Sequence, residues 1–210
     1  FVALGWGGWL ALALREHGEV LLQGVLRLRA QSKARWLQSY LSEGDSLRLL
    51  DVGAGEGYVG ERLARRHSVQ LVDAREGVNR TALSFQRADG ADLPFADDAF
   101  DAALLAYVLH HTREPEAVLR EALRVSRNGV VVLESGCRGR WCRLLRRLDR
   151  WANRLRRGGS EGHAEGEAVE ARFRSAREWE RMAERCGGRV TAREEWGAPW
   201  HRKMLFRIAK

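Results

Sequence analysis

The run Leu49-Leu-Asp-Val-Gly-Ala-Gly-Glu-Gly57 constrains this chain more than any other, because an apolar strand ends in three glycines at alternate positions. A buried strand that stops on such residues brings bare backbone up to a ligand, since a Cβ would obstruct both the tight turn and the approach. The helix predicted to follow, from Tyr58 to about Arg66, begins at the same point, so its unpaired amides face the same ligand. A nucleoside-like cofactor at the first βα turn is the expectation. Strands alternate with helices through the rest of the 210 residues, which predicts an α/β domain with a mostly parallel sheet covered on both faces.

The glycines alone leave two cofactors open. Gly55-Glu-Gly57-Tyr-Val-Gly60 also fits the GxGxxG pattern of dinucleotide-binding folds, a short and weakly specific motif. Asp73 closes the next apolar stretch, Val69–Val72, where an acid would accept ribose hydroxyls in either case. Two features argue against a dinucleotide. Asp51 stands inside the strand just before the glycines, and a second acidic patch, Asp89-Gly90-Ala-Asp-Leu93-Pro94-Phe95 through Phe100-Asp101, precedes the apolar strand Ala102–Ala106.

Asp51-x-Gly53-x-Gly55-x-Gly57, Asp73, and Asp89-Gly90-x-x-Leu93-Pro94-Phe95 with Phe100-Asp101 resemble class I S-adenosylmethionine-dependent methyltransferases. The type 11 group, which includes ubiquinone and menaquinone methyltransferases, is the nearest match. Leu105-Ala-Tyr-Val-Leu-His110-His111 and Glu121-Ala-x-Arg124-Val125 extend it over about residues 45–134. The resemblance implies a Rossmann-like fold: a seven-stranded, mostly parallel sheet with an antiparallel last strand and helices on both faces. It implies S-adenosylmethionine held by Asp51, Gly53, Ala54, Gly55, Gly57, Asp73, Ala74, Asp89, Gly90 and Ala106. Asp73 would take the ribose hydroxyls, Asp89 the adenine amine, and Gly53 and Gly55 the methionine half. The chain departs from the group's usual Cys-Gly-Thr-Gly, having Ala54-Gly-Glu56-Gly57. Only the fifteen residues 74–88 separate Asp73 from Asp89, so that crossover is expected to be a loop or a single turn.

Charge is concentrated in one place. Residues 138–157 hold nine arginines against one acid, Asp149, a surplus equal to the formal net charge of +8 for the whole chain. Trp141, Leu144, Leu145, Leu148, Trp151, Ala152 and Leu155 recur there at helical spacing. A basic lid inserted at about 137–170 is the first reading. A helix lying on an anionic membrane is the second and a nucleic-acid contact the third. Against nucleic acid, the fourth strand leads into Tyr107-Val-Leu-His110-His111 without Asn-Pro-Pro-Tyr or Pro-Cys. The leucine-rich surroundings suit a small, apolar, lipid- or quinone-like acceptor.

Residues 1–44 read as an apolar and helical leader ahead of a methyltransferase domain at 45–210. Phe1–Leu14 falls short of the ~20 residues of a membrane span and lacks the basic start and cleavage site of a signal peptide. It is expected to be buried or to touch a membrane. Residues 19–41 suit one or two helices packed beside the cofactor cleft. A cytoplasmic protein, peripheral at most to the inner membrane face, is expected. Cys137, Cys142 and Cys186 form no metal-ligand pattern, so reduced thiols and no metal are expected.

His111 and His110 are the candidate general bases, since an imidazole near pKa ~6.5 suits proton removal at neutrality. They could equally cap or pack under a helix starting at Pro115. Tyr58, Tyr107, Trp36 and Trp200 are candidates for the acceptor pocket. Ser175-Ala-Arg-Glu178 is a capping box for a helix closed by Gly187-Gly188, and Lys203–Ile208 reads as an edge strand. A non-catalytic cofactor- or partner-binding module, a nucleic-acid methyltransferase and an NAD-dependent oxidoreductase are the alternatives.

Overall fold

The computed structural model describes residues 6–41, 46–136, 174–198 and 201–210. The leader forms one helix, α1 (Trp6–Gln38), where the apolar spacing allowed one or two. There follow β1 (Arg48–Val52), α2 (Tyr58–Leu63), β2 (Ser68–Asp73), β3 (Phe85–Arg87), β4 (Ala102–Ala106) and a 3-10 turn at Leu109–His111. Next come α3 (Pro115–Val125), β5 (Val130–Gly136), α4 (Ala176–Arg185), β6 (Arg189–Ala198) and β7 (His201–Ala209). The expected lid, the arginine-rich helix, Cys137, Cys142 and Trp200 lie outside the described residues.

Seven strands join in one sheet, in the order β3-β2-β1-β4-β5-β7-β6. β1 to β5 pair in parallel, and β7 runs antiparallel to both β5 and β6. This is the expected Rossmann-like α/β architecture. One detail differs: the last strand is not at the edge. β7 buries Met204, Leu205, Phe206 and Ile208; the first three are consecutive, so both faces of the strand require cover. β6, largely exposed and carrying Arg189, Arg193, Glu194 and Glu195, takes the edge instead, where charge discourages further strand pairing.

Period-two alternation sorts the strands onto two cores. Leu50, Val52, Val130 and Val132 face α3 and α4, packing with Leu119, Leu123, Trp179 and Met182. Leu49, Val131 and Leu133 face the other way, with Leu63 of α2 and Leu37 of α1. The crossover from β2 to β3 contains no helix, as its length requires. α2 ends at Leu63, short of the expected Arg66. Local signals hold elsewhere. Pro115 opens α3 with Glu114 as the cap residue, although the Glu114 side chain makes no capping bond. Before α4, the Ser175 amide donates to Glu178 Oε2 at 2.7 Å, completing the capping box.

The sheet order reverses at β1: the chain proceeds outward through β2 and β3, then returns to place β4 on the other side. Such a switch point opens a crevice at the carboxyl ends of β1 and β4, where ligands of open α/β sheets bind. α1 packs on α2 and reaches β5, so it lies along that rim.

Candidate functional site

Three consecutive odd-numbered glycines make the floor of the crevice. Gly53, Gly55 and Gly57 have φ of +70°, +56° and +81°, the left-handed region that side chains disfavour. A Cβ on Gly53 would meet Val108 Cγ2 at 2.6 Å, and one on Gly57 would meet Asn79 Oδ1 at 2.7 Å and Leu71 Cδ1 at 2.8 Å. Gly55 is different. A Cβ there would meet nothing nearer than an Arg75 guanidinium nitrogen at 3.8 Å, so only the flexible end of one side chain faces this buried residue. The Gly53 and Ala54 amides both donate to Val72 O, at 2.8 and 3.0 Å, which ties the turn to the end of β2.

Asp73, the last residue of β2, completes this turn. Its Oδ2 accepts the Gly55 amide at 2.9 Å, and its Oδ1 accepts the Arg75 amide at 3.0 Å and Arg75 Nε at 3.1 Å. Arg75 is half exposed while Asp73 is buried. Asp51 lies within β1 at 2% exposure, and its Oδ2 has no hydrogen-bond partner. Burial pushes its pKa up to about 7; Asp73 adds to the rise, while Lys33 and the Gly60 amide oppose it. An orphaned buried carboxylate oxygen beside bare glycine backbone suits a ligand that brings its own positive charge.

β4 supplies the opposite wall. Beyond Ala106, Tyr107 has φ of +63°, a strained conformation for a residue with a side chain, and its amide donates to Leu133 O at 2.7 Å. Burial, and then the neighbouring Glu134, hold the Tyr107 hydroxyl above its ordinary pKa. Glu134 is wholly buried in β5 and accepts the Leu109 amide at 2.8 Å, His110 Nδ1 at 2.5 Å and the Ser135 amide at 3.3 Å. His110 is therefore seated in the interior, 3% exposed, and the His111 ring lies 3.9 Å from it and partly open.

The remaining candidates are dispersed along the rim. Ala74 is exposed next to Asp73. Asp89, also exposed, turns its Oδ1 to the Ala91 amide at 3.0 Å, and a Cβ on Gly90 would sit 3.3 Å from Val52 and Val118. Tyr58 is buried beneath α1: its hydroxyl donates to Gln23, and the Arg27 guanidinium lies 4.5 Å from its ring centre. Trp36 packs edge-on against Trp196 at 4.8 Å, with Lys203 Nζ 4.5 Å from its ring centre.

Two participants escaped the sequence reading. Glu134 was discernible as a lone carboxylate directly after the apolar run Val130–Leu133. Lys33 was not, because only the docking of α1 brings it over the Tyr107 ring, 4.7 Å from its centre.

Residues 50–133 match the family profile described as "Methyltransferase domain". Over that span the chain is similar to S-adenosylmethionine-dependent methyltransferases. An uncharacterized methyltransferase of Mycobacterium leprae is 36% identical over 109 residues, covering 48% of this chain and 40% of that protein. The 2-phytyl-1,4-naphtoquinone methyltransferase of Synechococcus elongatus is 31% identical over 147 residues, covering 61% of this chain and 62% of its own length. The chain thus spans roughly half the length of these curated relatives. Among solved structures, a candidate methyltransferase of Bacillus halodurans superposes with a TM-score of 0.67 at 14% identity, covering 85% of this chain and 99% of the other. The magnesium protoporphyrin IX methyltransferase of Synechocystis, solved with bound S-adenosylhomocysteine, gives 0.57 at 14% identity, covering 88% and 83%. These structural likenesses establish the fold. The residues present fit S-adenosylmethionine: an orphaned acidic oxygen, a glycine whose nearest neighbour is the flexible end of Arg75, and a carboxylate at the end of β2.

Proposed function

We propose that this chain transfers the methyl group of S-adenosylmethionine to a small, apolar acceptor of the quinone or lipid kind. The observation that carries the reading is the buried Asp73 carboxylate bonded to the Gly55 amide at the switch point of the sheet. A ribose needs an acidic acceptor there, and Asp73 Oδ1 offers one once the half-exposed Arg75 side chain moves aside. Asp51 would hold the positively charged amino end, Gly53, Ala54, Gly55, Gly57 and Ala106 would line the methionine half, and Ala74, Asp89 and Gly90 would contact the adenine.

The sulfonium supplies an electrophilic methyl group, so the protein's task is orientation and exclusion of water. His111, partly open beside His110, is the proposed base for an acceptor hydroxyl or carbon acid. His110 is the second candidate, though its burial on Glu134 favours a positioning role. Tyr107, Tyr58 and Trp36 are the proposed acceptor-side residues, with 1–44 as leader and 137–170 as lid on a 45–210 catalytic domain. An apolar acceptor is supported by the relative that acts on 2-phytyl-1,4-naphtoquinone.

We place the protein in the cytoplasm at the inner face of the membrane. No described helix is long and apolar enough to cross a bilayer. Val20, Leu21, Val25 and Leu28 of α1 are more than half exposed, and an anionic lipid surface would complement both that stripe and the +8 charge. The deciding experiment is calorimetry with S-adenosylmethionine against NAD, followed by an assay for S-adenosylhomocysteine with demethylated naphthoquinones. Binding without turnover on any quinone or lipid would leave a cofactor-binding module, and NAD binding would point to an oxidoreductase.

A further inference from the structure

Lys203 is half-buried near the start of β7, opposite Ser135 of β5 and Trp196 of β6. Alternation puts it on the same face as Leu205, the face that α1 covers with Leu37. Its Nζ lies 4.5 Å from the centre of the Trp36 ring, which Trp196 meets edge-on at 4.8 Å. Arg29, two turns before Trp36 on α1, approaches the same ammonium. Burial, and then this second cation, hold the Lys203 pKa below its ordinary value. Neither cation has an acid to answer it: among the described residues, Lys203 and Arg29 make no salt bridge. Glu195 is committed to Arg193 and Arg202, and Glu194 stands opposite Leu205, close to Tyr40. Two cations gathered at a half-buried aromatic corner repel each other and lose hydration, so an anion brought from outside would stabilise the arrangement.

The corner adjoins the acceptor side of the crevice. Arg29 is close enough to Tyr107, the residue after β4, to oppose the rise in its pKa. In the sheet β5 separates β4 from β7, so Lys203 stands two strand spacings, roughly 10 Å, from the end of β4. An uncharged quinone would leave both cations unanswered, whereas a flat ring bearing a carboxylate meets the indoles and the charges together. Resting on the acceptor reading above, we infer that the acceptor is an aromatic acid. Its ring lies against Trp36 and Trp196, and Lys203 and Arg29 bind its carboxylate at the end remote from the methylated atom. The leader helix then sets acceptor specificity, because it brings Arg29 and Trp36 to β7.

The test compares 6-hydroxy-2-naphthoate, whose carboxylate lies across the ring system from its hydroxyl, with 2-naphthol, which has no carboxylate. By calorimetry, the unaltered full chain saturated with S-adenosylhomocysteine should bind the naphthoate about tenfold or more tightly than the naphthol, the scale of a charge-assisted hydrogen bond. Lys203→Met should remove that preference by weakening the naphthoate alone, and Lys203→Arg should retain most of it. Arg29→Met, at an exposed position on α1, should reduce the same preference and serves if Lys203→Met fails to fold, as thermal melts would show. An unaltered chain that does not discriminate, or variants that weaken both compounds alike, would overturn the assignment. So would a Lys203→Met chain that keeps its hold on the naphthoate but loses sedimentation with phosphatidylglycerol vesicles, which would give these cations to lipid. A chain that bound S-adenosylhomocysteine but neither naphthalene would sink the quinone-like acceptor reading itself, and this assignment with it.

Discussion

The amide of Gly55 donates to Oδ2 of Asp73 across 2.9 Å in a buried setting, joining the turn after β1 to the end of β2. One carboxylate thus fixes the shape of the turn with one oxygen and accepts the Arg75 amide and guanidinium with the other. Asp73→Ala should therefore lose on two readouts. Stability should fall by about 1–3 kcal/mol because a buried amide is left unsatisfied, and S-adenosylmethionine affinity should drop at least tenfold. Asp73→Asn, which keeps an acceptor for Gly55, should melt close to the parent yet still bind the cofactor weakly. Calorimetry paired with thermal denaturation separates the two effects.

Gly57 and Gly77 both have left-handed backbones, at φ of +81° and +65°, but only Gly57 is crowded. Gly57→Ala should cost about 2–4 kcal/mol, combining the conformational penalty with overpacking against Leu71 and Asn79. Gly77→Ala, where a Cβ meets nothing within 4 Å, should cost only about 1 kcal/mol. Denaturant titration of the two variants would show equal losses if crowding were irrelevant.

Asp51, pushed up to about 7 by burial, gives a pH signature. Its folded pKa lies above its unfolded one, so the native state holds the proton more tightly. Its contribution to stability is fully present below about pH 4 and is lost as pH rises through about 7. Asp51→Asn should match the parent near pH 4 and exceed it near pH 8, by at most about 4 kcal/mol for a shift of ~3 units. Denaturation midpoints across that range measure the difference. In the parent, affinity for the cationic cofactor should rise through about pH 7, and the variant should lose that rise.

The two adjacent histidines should separate cleanly. His110→Ala leaves Glu134 buried with a lost partner, and stability should fall by about 3–5 kcal/mol. His111→Ala should melt near the parent while kcat drops about a hundredfold, the usual worth of a general base. An unchanged kcat in a folded His111→Ala protein would assign that ring to packing.

Membrane contact is tested on the arginine-rich segment. Arg146→Glu with Arg150→Glu should weaken sedimentation with anionic vesicles, each reversal removing an attraction of about 1 kcal/mol. Retained vesicle binding would remove the arginine-rich segment as the lipid contact and leave the leader.

What the chain declares on its own is local and periodic. The β1 strand, the glycine turn, Asp73 at the end of β2, the opening of α3 at Pro115 and the Ser175–Glu178 box each depend on residues a few positions apart, and each stands where its residues indicate. The alternation of strands with helices likewise announced a mostly parallel sheet. Tertiary structure decided what no local spacing contains. It placed β7 inside the sheet and β6 at its edge, because burial on two faces is a property of neighbours. It buried His110 on Glu134, which lies twenty-four residues away. It also carried Lys33 onto Tyr107 by packing α1 along the rim. Short-range geometry follows from backbone sterics and side-chain period, which the sequence states directly; contacts between distant residues arise only when separate elements share one buried surface.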